Sequence, residues 1–218
     1  IELISHKYLG EKQILKILFQ RKKYEITLNL IGKIQIKNVL MAILAANKSG
    51  LRFKQIINVI DKIKPVQGRL EKIGAIKNNS RVILDYAHTP DALETTLMSI
   101  KEQFPKSKII LVFGCGGERD YKKRSIMGKI AEKYSDRIYL TDDNPRNEDP
   151  STIRKDIKKG IKRTNIWELP DRKKAIHEAI MSLNIGELLL VTGKGHEKIQ
   201  DYGKKKLFFS DKQIILKS

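Results

Sequence analysis

Apolar and polar positions alternate with a period of two from about Gln13 to Phe19 and again from Tyr24 to Leu30. The polar segment Gln20 to Lys23 between them predicts a hairpin. After Gly32 the apolar spacing becomes three and four, through Val39, Leu40, Ile43, Leu44 and Ala45, which predicts a helix ending near Gly50. A second amphipathic segment, Phe53 to Ile63, stops before Pro65. A short run around Gln67 to Ile73 follows, and a polar turn at Lys77 to Ser80 marks the edge of a unit.

From Arg81 the rhythm is regular: an apolar strand, a loop rich in unusual residues, then an amphipathic helix. The strands are predicted at Val82 to Leu84, Ile109 to Phe113, Arg137 to Thr141, Asn165 to Leu169 and Leu188 to Thr192. The helices are predicted at Asp91 to Gln103, Lys122 to Tyr134, Pro150 to Ile161 and Asp171 to Ser182, with Pro90 and Pro150 where helix starts accept proline. Alternation of this kind implies an α/β fold with a parallel, doubly wound sheet, whose ligands bind at the carboxyl ends of the strands.

The chemically unusual residues lie in the loops at those ends. They are Asp85-Tyr86-Ala87-His88-Thr89-Pro90, Gly114-Cys115-Gly116-Gly117-Glu118-Arg119-Asp120, Asp142 through Pro150, and Gly193-Lys194-Gly195-His196-Glu197. Any one of them has an ordinary explanation: glycines permit tight turns, Asn144-Pro145 starts one, a single histidine is commonly structural, and Cys115 after a buried strand fills space. Their common position predicts one composite site. Arg119 and Arg146 offer planar forks for carboxylates and Glu197 an acceptor for an ammonium group, a set that suits an amino acid. The phosphate-binding pattern GxxxxGK[ST] is absent, and Gly193-Lys194-Gly195 has the wrong spacing for it.

Composition narrows the alternatives. Lys and Arg outnumber Asp and Glu by 44 to 25, a formal charge of +19 that raises a nucleic-acid-binding module as an alternative. The basic residues are spread along the chain, however, and the 6% aromatic content provides no basic-aromatic stacking platform, so the expected partners do not include nucleic acid. A single cysteine excludes an intramolecular disulfide and a cysteine-clustered zinc site, and no metal site is expected in this chain. No apolar run approaches the ~18 residues of a membrane span and no signal segment opens the sequence, so a cytoplasmic monomer without a membrane partner is expected. Ile rather than Met at position 1 suggests the back part of a longer protein.

The strings GRLEKI (Gly68 to Ile73), DYAHTPDALE (Asp85 to Glu94), FGCGGERDYKKR (Phe113 to Arg124), DDNPRNEDP (Asp142 to Pro150) and GKGHE with Gln200 resemble the carboxyl-terminal half of the Mur ligases, most narrowly their diaminopimelate-adding branch. The resemblance runs from about Leu28 onward. It implies that residues 1–67 are the end of an α/β central ATPase domain, and that residues 68–218 form a Rossmann-like carboxyl-terminal domain that binds the amino acid. It further implies that Arg119, Asp143, Asn144, Pro145, Arg146, Gly193 and Glu197 bind meso-2,6-diaminopimelate. On the nucleotide side it implies that Arg69, Asp85, His88 and Thr89 face the ribose and phosphates of ATP, with Asn38 near the adenine. Gln35 stands where the family often has a further Asn. Mg2+, the phosphate-binding loop and the site for UDP-MurNAc-L-Ala-D-Glu belong to other parts of such a ligase. No catalytic residue is therefore expected in this chain, and no turnover by it alone. A sister ligase of the folylpolyglutamate or cyanophycin type is the nearest alternative.

Overall fold

The computed structural model describes residues 1–75 and 80–218; of the turn expected at Lys77 to Ser80, only Ser80 lies within them. The chain opens with three antiparallel strands, β1 (Glu2–Leu9), β2 (Lys12–Phe19) and β3 (Lys22–Leu28), paired in the order β1-β2-β3. Only β2 and β3 were expected; β1 is largely exposed and carries no apolar face for periodicity to find. The inner residues Leu15, Ile17, Ile26 and Leu28 pack on Ile36, Val39 and Ile43 of α1 (Ile34–Lys48), and on Phe53 and Ile56 of α2 (Phe53–Ile57). The single helix expected over Phe53 to Ile63 is broken. Asn58 ends α2, and Ile60–Lys62 form a separate 3-10 turn, as a β-branched run favours.

The β2–β3 turn is tighter than the sequence suggests. Phe19 pairs with Lys22, so Gln20 and Arg21 alone make the loop, at φ 47° and 64°. Left-handed backbone at two non-glycine residues costs stability. The double substitution Gln20→Asn, Arg21→Gly is expected to raise unfolding stability by about 1 kcal/mol, read from the urea midpoint. An unchanged or lower midpoint would contradict this assignment of strain.

The second unit is a six-stranded sheet of β4 (Glu71–Ala75), β5 (Arg81–Leu84), β6 (Ile109–Phe113), β7 (Arg137–Leu140), β8 (Ile166–Glu168) and β9 (Leu188–Val191), in the order β4-β5-β9-β6-β7-β8. All neighbouring strands are parallel except β4, which runs antiparallel at the edge. The run expected around Gln67 to Ile73 is thus a turn followed by β4. Alternation along the strands divides the apolar residues between two faces. Ile83, Leu111, Phe113 and Leu190 pack under α3 (Pro90–Gln103), α4 (Lys122–Tyr134) and α5 (Pro150–Lys158). Val82, Leu84, Val112 and Val191 pack under α6 (Arg172–Met181) and α7 (Asp211–Lys217). Helices on both faces make the sheet doubly wound, as expected.

Strand β9 returns through α6 and inserts between β5 and β6. That reversal sets the loops after β5, β9, β6 and β7 side by side at one edge, the switch-point crevice of such sheets. A hairpin of β10 (Ile199–Tyr202) and β11 (Lys205–Phe208) follows the β9 loop; neither it nor α7 was foreseen. The two units are joined by specific polar contacts. Gln103 of α3 accepts from the Gly32 backbone N–H (2.9 Å) and donates to the Gly10 carbonyl (3.0 Å), while Glu11 pairs with Lys72 (2.7 Å) and Arg81 (3.2 Å).

Candidate functional site

Close approach of backbone explains the glycines of the β6 loop. A Cβ on Gly114 would lie 2.2 Å from the Thr141 carbonyl oxygen, and one on Gly117 1.9 Å from that of Pro145, so this loop packs directly on the loop after β7. The Gly117 N–H donates to the Asn144 carbonyl (2.9 Å), and the Glu118 N–H donates to Glu148. Among the described residues, non-glycine positions in left-handed backbone are Gln20 and Arg21 of the hairpin turn, together with Leu70, Glu118 and Arg146. The last three border the sheet-edge loops, where strain of this kind tends to accompany function.

These loops enclose a cavity of about 500 Å³ lined by Arg119, Asp143, Asn144, Arg146, Gly193 and Glu197, with Tyr86, His88, Thr89 and Lys123 among the other lining residues. Of the residues expected at an amino-acid site, only Pro145 is outside its lining; its carbonyl instead accepts from the Glu148 N–H (3.1 Å). Ion pairs to arginine among the described residues involve Arg81, Arg124, Arg137, Arg154, Arg163 and Arg172, and none involves Arg69, Arg119 or Arg146. Arg146 Nη1 donates to the Gly117 carbonyl (2.6 Å), which aims the guanidinium. Arg119 is exposed at the mouth and donates to the Glu118 carbonyl (3.1 Å).

The acidic residues behave differently from one another. Asp143 is buried, and its Oδ2 has no hydrogen-bond partner among the described residues. Burial raises its pKa, opposed by the charges of Arg172 and Lys194. Gly193, at φ 110°, is required beside it, because a Cβ there would sit 2.4 Å from Asp143 Oδ2. Burial would also raise Glu197, but hydrogen bonds from Asn144, Lys194 and Tyr86 and the lysine charge carry its pKa below the usual value. Glu197 is therefore an anion at neutral pH. The amide of Asn144 is engaged within the protein: one N–H of Nδ2 donates to Glu197 Oε2 (3.0 Å), and Oδ1 accepts from Lys194 Nζ (2.8 Å) and the Asp201 N–H (3.0 Å).

A second cavity, of about 650 Å³, lies where the two units meet and is lined by Asn38, Arg69, Asp85, His88 and Thr89, all five of the residues expected on a nucleotide side. Asp85 is buried and its carboxylate is occupied, accepting from the backbone N–H of Leu70 (2.8 Å), that of Ala87 (2.9 Å) and the Thr96 hydroxyl (3.2 Å). It shapes the rim by tying the GRLE turn to the β5 loop. Asn38 is exposed and bonds Gln35 (3.3 Å). Arg69 lies over the Tyr86 ring at 4.6 Å. Tyr86, His88 and Thr89 line both cavities, so the two adjoin. Another cavity, of about 560 Å³, between the β10–β11 hairpin and α6–α7, takes only Asp142 from the four loops.

Sequence reasoning gave no role to Tyr86, Lys123 or Lys194, although all three stand inside quoted strings. Cys115 is buried, with its thiol pushed up to about 12 by burial, which suits packing and not nucleophilic attack. Among the described residues no group of three His, Cys, Asp or Glu side chains forms a metal site, and no helix is long and apolar enough to cross a membrane.

A family model described as Mur ligase, glutamate ligase domain, matches residues 68–195. The chain is 43% identical over 206 residues to UDP-N-acetylmuramoyl-L-alanyl-D-glutamate--2,6-diaminopimelate ligase of Rickettsia montanensis, covering 94% of this chain and 42% of that protein. It is 44% identical over 192 residues to the enzyme of the same name from Mesorhizobium japonicum, covering 88% of this chain and 39% of that protein. A solved structure of a ligase of that name superposes with a TM-score of 0.73 at 29% identity, covering 99% of this chain and 44% of the other. The chain thus spans less than half the length of these relatives.

Proposed function

Because the chain belongs to the Mur ligases, through the glutamate ligase domain of that family, we propose that it is the amino-acid-binding part of an ATP-dependent amide ligase that adds meso-2,6-diaminopimelate to UDP-MurNAc-L-Ala-D-Glu. The observation that carries this reading is the pairing, in one cavity, of two arginines lacking ion-pair partners among the described residues with the carboxyl groups of Asp143 and Glu197. Diaminopimelate is zwitterionic at both ends, so Arg146 and Arg119 take carboxylates and Glu197 takes an ammonium group. Residues 1–67 are the end of the ATPase domain and 68–218 the amino-acid domain in this proposal. The relatives' names favour the diaminopimelate branch over a folylpolyglutamate-type ligase.

In the proposed reaction ATP transfers its γ-phosphoryl group to the glutamate carboxylate of the nucleotide precursor, releasing ADP, and the amine then attacks the acyl phosphate, forming the amide and expelling phosphate. This chain's part is to bind and orient the amine, and to line one side of the nucleotide. Arg69 is available for a phosphate, Asn38 for the adenine edge, and Asp85 holds the loops that carry His88 and Thr89. Among the described residues no group of three His, Cys, Asp or Glu side chains is placed to hold Mg2+.

The location is tested by backbone amide NMR of the chain. Added meso-diaminopimelate is expected to shift amides within 114–120, 142–149 and 193–197 and to leave β1–β3 unmoved. Shifts confined to other surfaces would refute the reading. Tight, strongly salt-dependent binding of a DNA duplex would favour the basic-module alternative.

A further inference from the structure

Lys194 is fully buried, an expensive place for an ammonium group unless every N–H finds an acceptor. All three do. Nζ donates to Asn144 Oδ1 at 2.8 Å, to Glu197 Oε2 at 3.1 Å and to the Ile199 carbonyl at 2.6 Å. The flanking glycines, at φ 110° and 52°, turn the side chain inward, and a Cβ on Gly195 would lie 2.8 Å from Tyr86 Cβ. The loop is therefore shaped to bring this one cation beneath the amino-acid cavity.

The consequence concerns which atoms a ligand can reach. Because a lysine can only donate, its bond to Asn144 Oδ1 fixes the amide orientation, which leaves Nδ2 facing Glu197 Oε2 at 3.0 Å. That oxygen accepts from both Lys194 and Asn144. The other, Oε1, accepts only from the Tyr86 hydroxyl among the described residues, at a long 3.3 Å. Resting on the functional reading above, we propose that Lys194 is a positioning residue that immobilises Glu197 and Asn144 so that the single oxygen Glu197 Oε1 meets the ligand's ammonium group. An ammonium entering the cavity then competes with one weak bond and meets an acceptor already aimed.

Several other groups bear on Glu197. The buried charges of Asp143 and Arg172 act on it, Tyr86 bonds it from the β5 loop, and Arg119, Arg146 and His88 share its cavity. None of these donates to Oε2 among the described residues; only Asn144, itself held by Lys194, shares that oxygen with it.

The test uses carboxyl-carbon NMR of Glu197 in the ligand-free chain, with calorimetry of meso-diaminopimelate. Lys194→Met is expected to move the Glu197 titration upward, towards or beyond the ordinary glutamate range, and to weaken binding about tenfold or more. In a Glu197→Gln background the same substitution is expected to change affinity by less than about threefold, since it acts through that carboxylate. Tyr86→Phe, which removes the competitor for Oε1, is expected to tighten binding a few-fold. An unmoved Glu197 titration, an undiminished Lys194→Met effect beside Glu197→Gln, or unchanged or weaker binding in Tyr86→Phe would each overturn the proposal. If the wild-type chain bound no meso-diaminopimelate, the functional reading would fail, while the ligand-free titration would still decide the role of Lys194.

Discussion

Replacing Arg146 with alanine is expected to weaken meso-diaminopimelate binding about a hundredfold and to change L-lysine binding by less than about threefold. Arg146 Nη1 is held by the carbonyls of Gly117 (2.6 Å) and Asn144 (3.4 Å), while Nε and Nη2 have no partner among the described residues. That edge is the planar fork a carboxylate takes with two parallel bonds. The residue is half-buried, so the interaction is less screened than one at Arg119, which is exposed. Lysine has no second carboxylate and loses nothing direct. Alanine also retains the left-handed backbone cost at this position, φ 55°, so the substitution tests the side chain and not the loop. Arg146→Lys, which keeps the charge but not the fork, is expected to fall between. Equal losses for both ligands would mean that Arg146 supports the cavity without reading the distal carboxylate.

The largest effect on stability is expected at a buried pair that lies behind the amino-acid cavity without lining it. Arg172 and Asp211 are both fully buried, joined by Nε–Oδ1 and Nη2–Oδ2 bonds of 2.8 and 2.7 Å. Arg172 Nη2 also donates to the Thr192 carbonyl (2.7 Å), immediately before the glycine-lysine-glycine loop. Arg172→Met leaves the Asp211 carboxylate buried without its guanidinium and is expected to cost about 3–5 kcal/mol in urea unfolding. The double variant Arg172→Met, Asp211→Leu removes both charges and is expected to recover much of that loss. A single-variant cost below about 1 kcal/mol would show that the pair contributes little and that α7 is held by other contacts.

The sequence was most legible where burial imposes a period. Strands β5, β6 and β9 are continuous apolar runs, and the helices between them carry clear apolar faces, so the α/β rhythm and the loops at its edge could be read directly. Strand β1 and the β10–β11 hairpin escaped because most of their residues are exposed and leave no apolar stripe. The insertion of β9 between β5 and β6 is a tertiary choice that no local pattern records, yet it is what sets the Glu197 loop between those of His88 and Arg119. Arg172 and Asp211 are 39 positions apart, so nothing local announced their pairing. Lys194 was visible only as part of a short string. Its three bonds depend on Asn144, 50 positions earlier, and on the turn into β10.

The most direct test is a calorimetric comparison of meso-diaminopimelate and L-lysine on the wild-type chain at neutral pH, where Glu197 is ionised. Binding of meso-diaminopimelate at least about thirtyfold tighter than lysine is the expected result, the size of one additional bidentate arginine–carboxylate contact. Equal affinity for the two amino acids, or no binding of either, would contradict the assignment of this cavity.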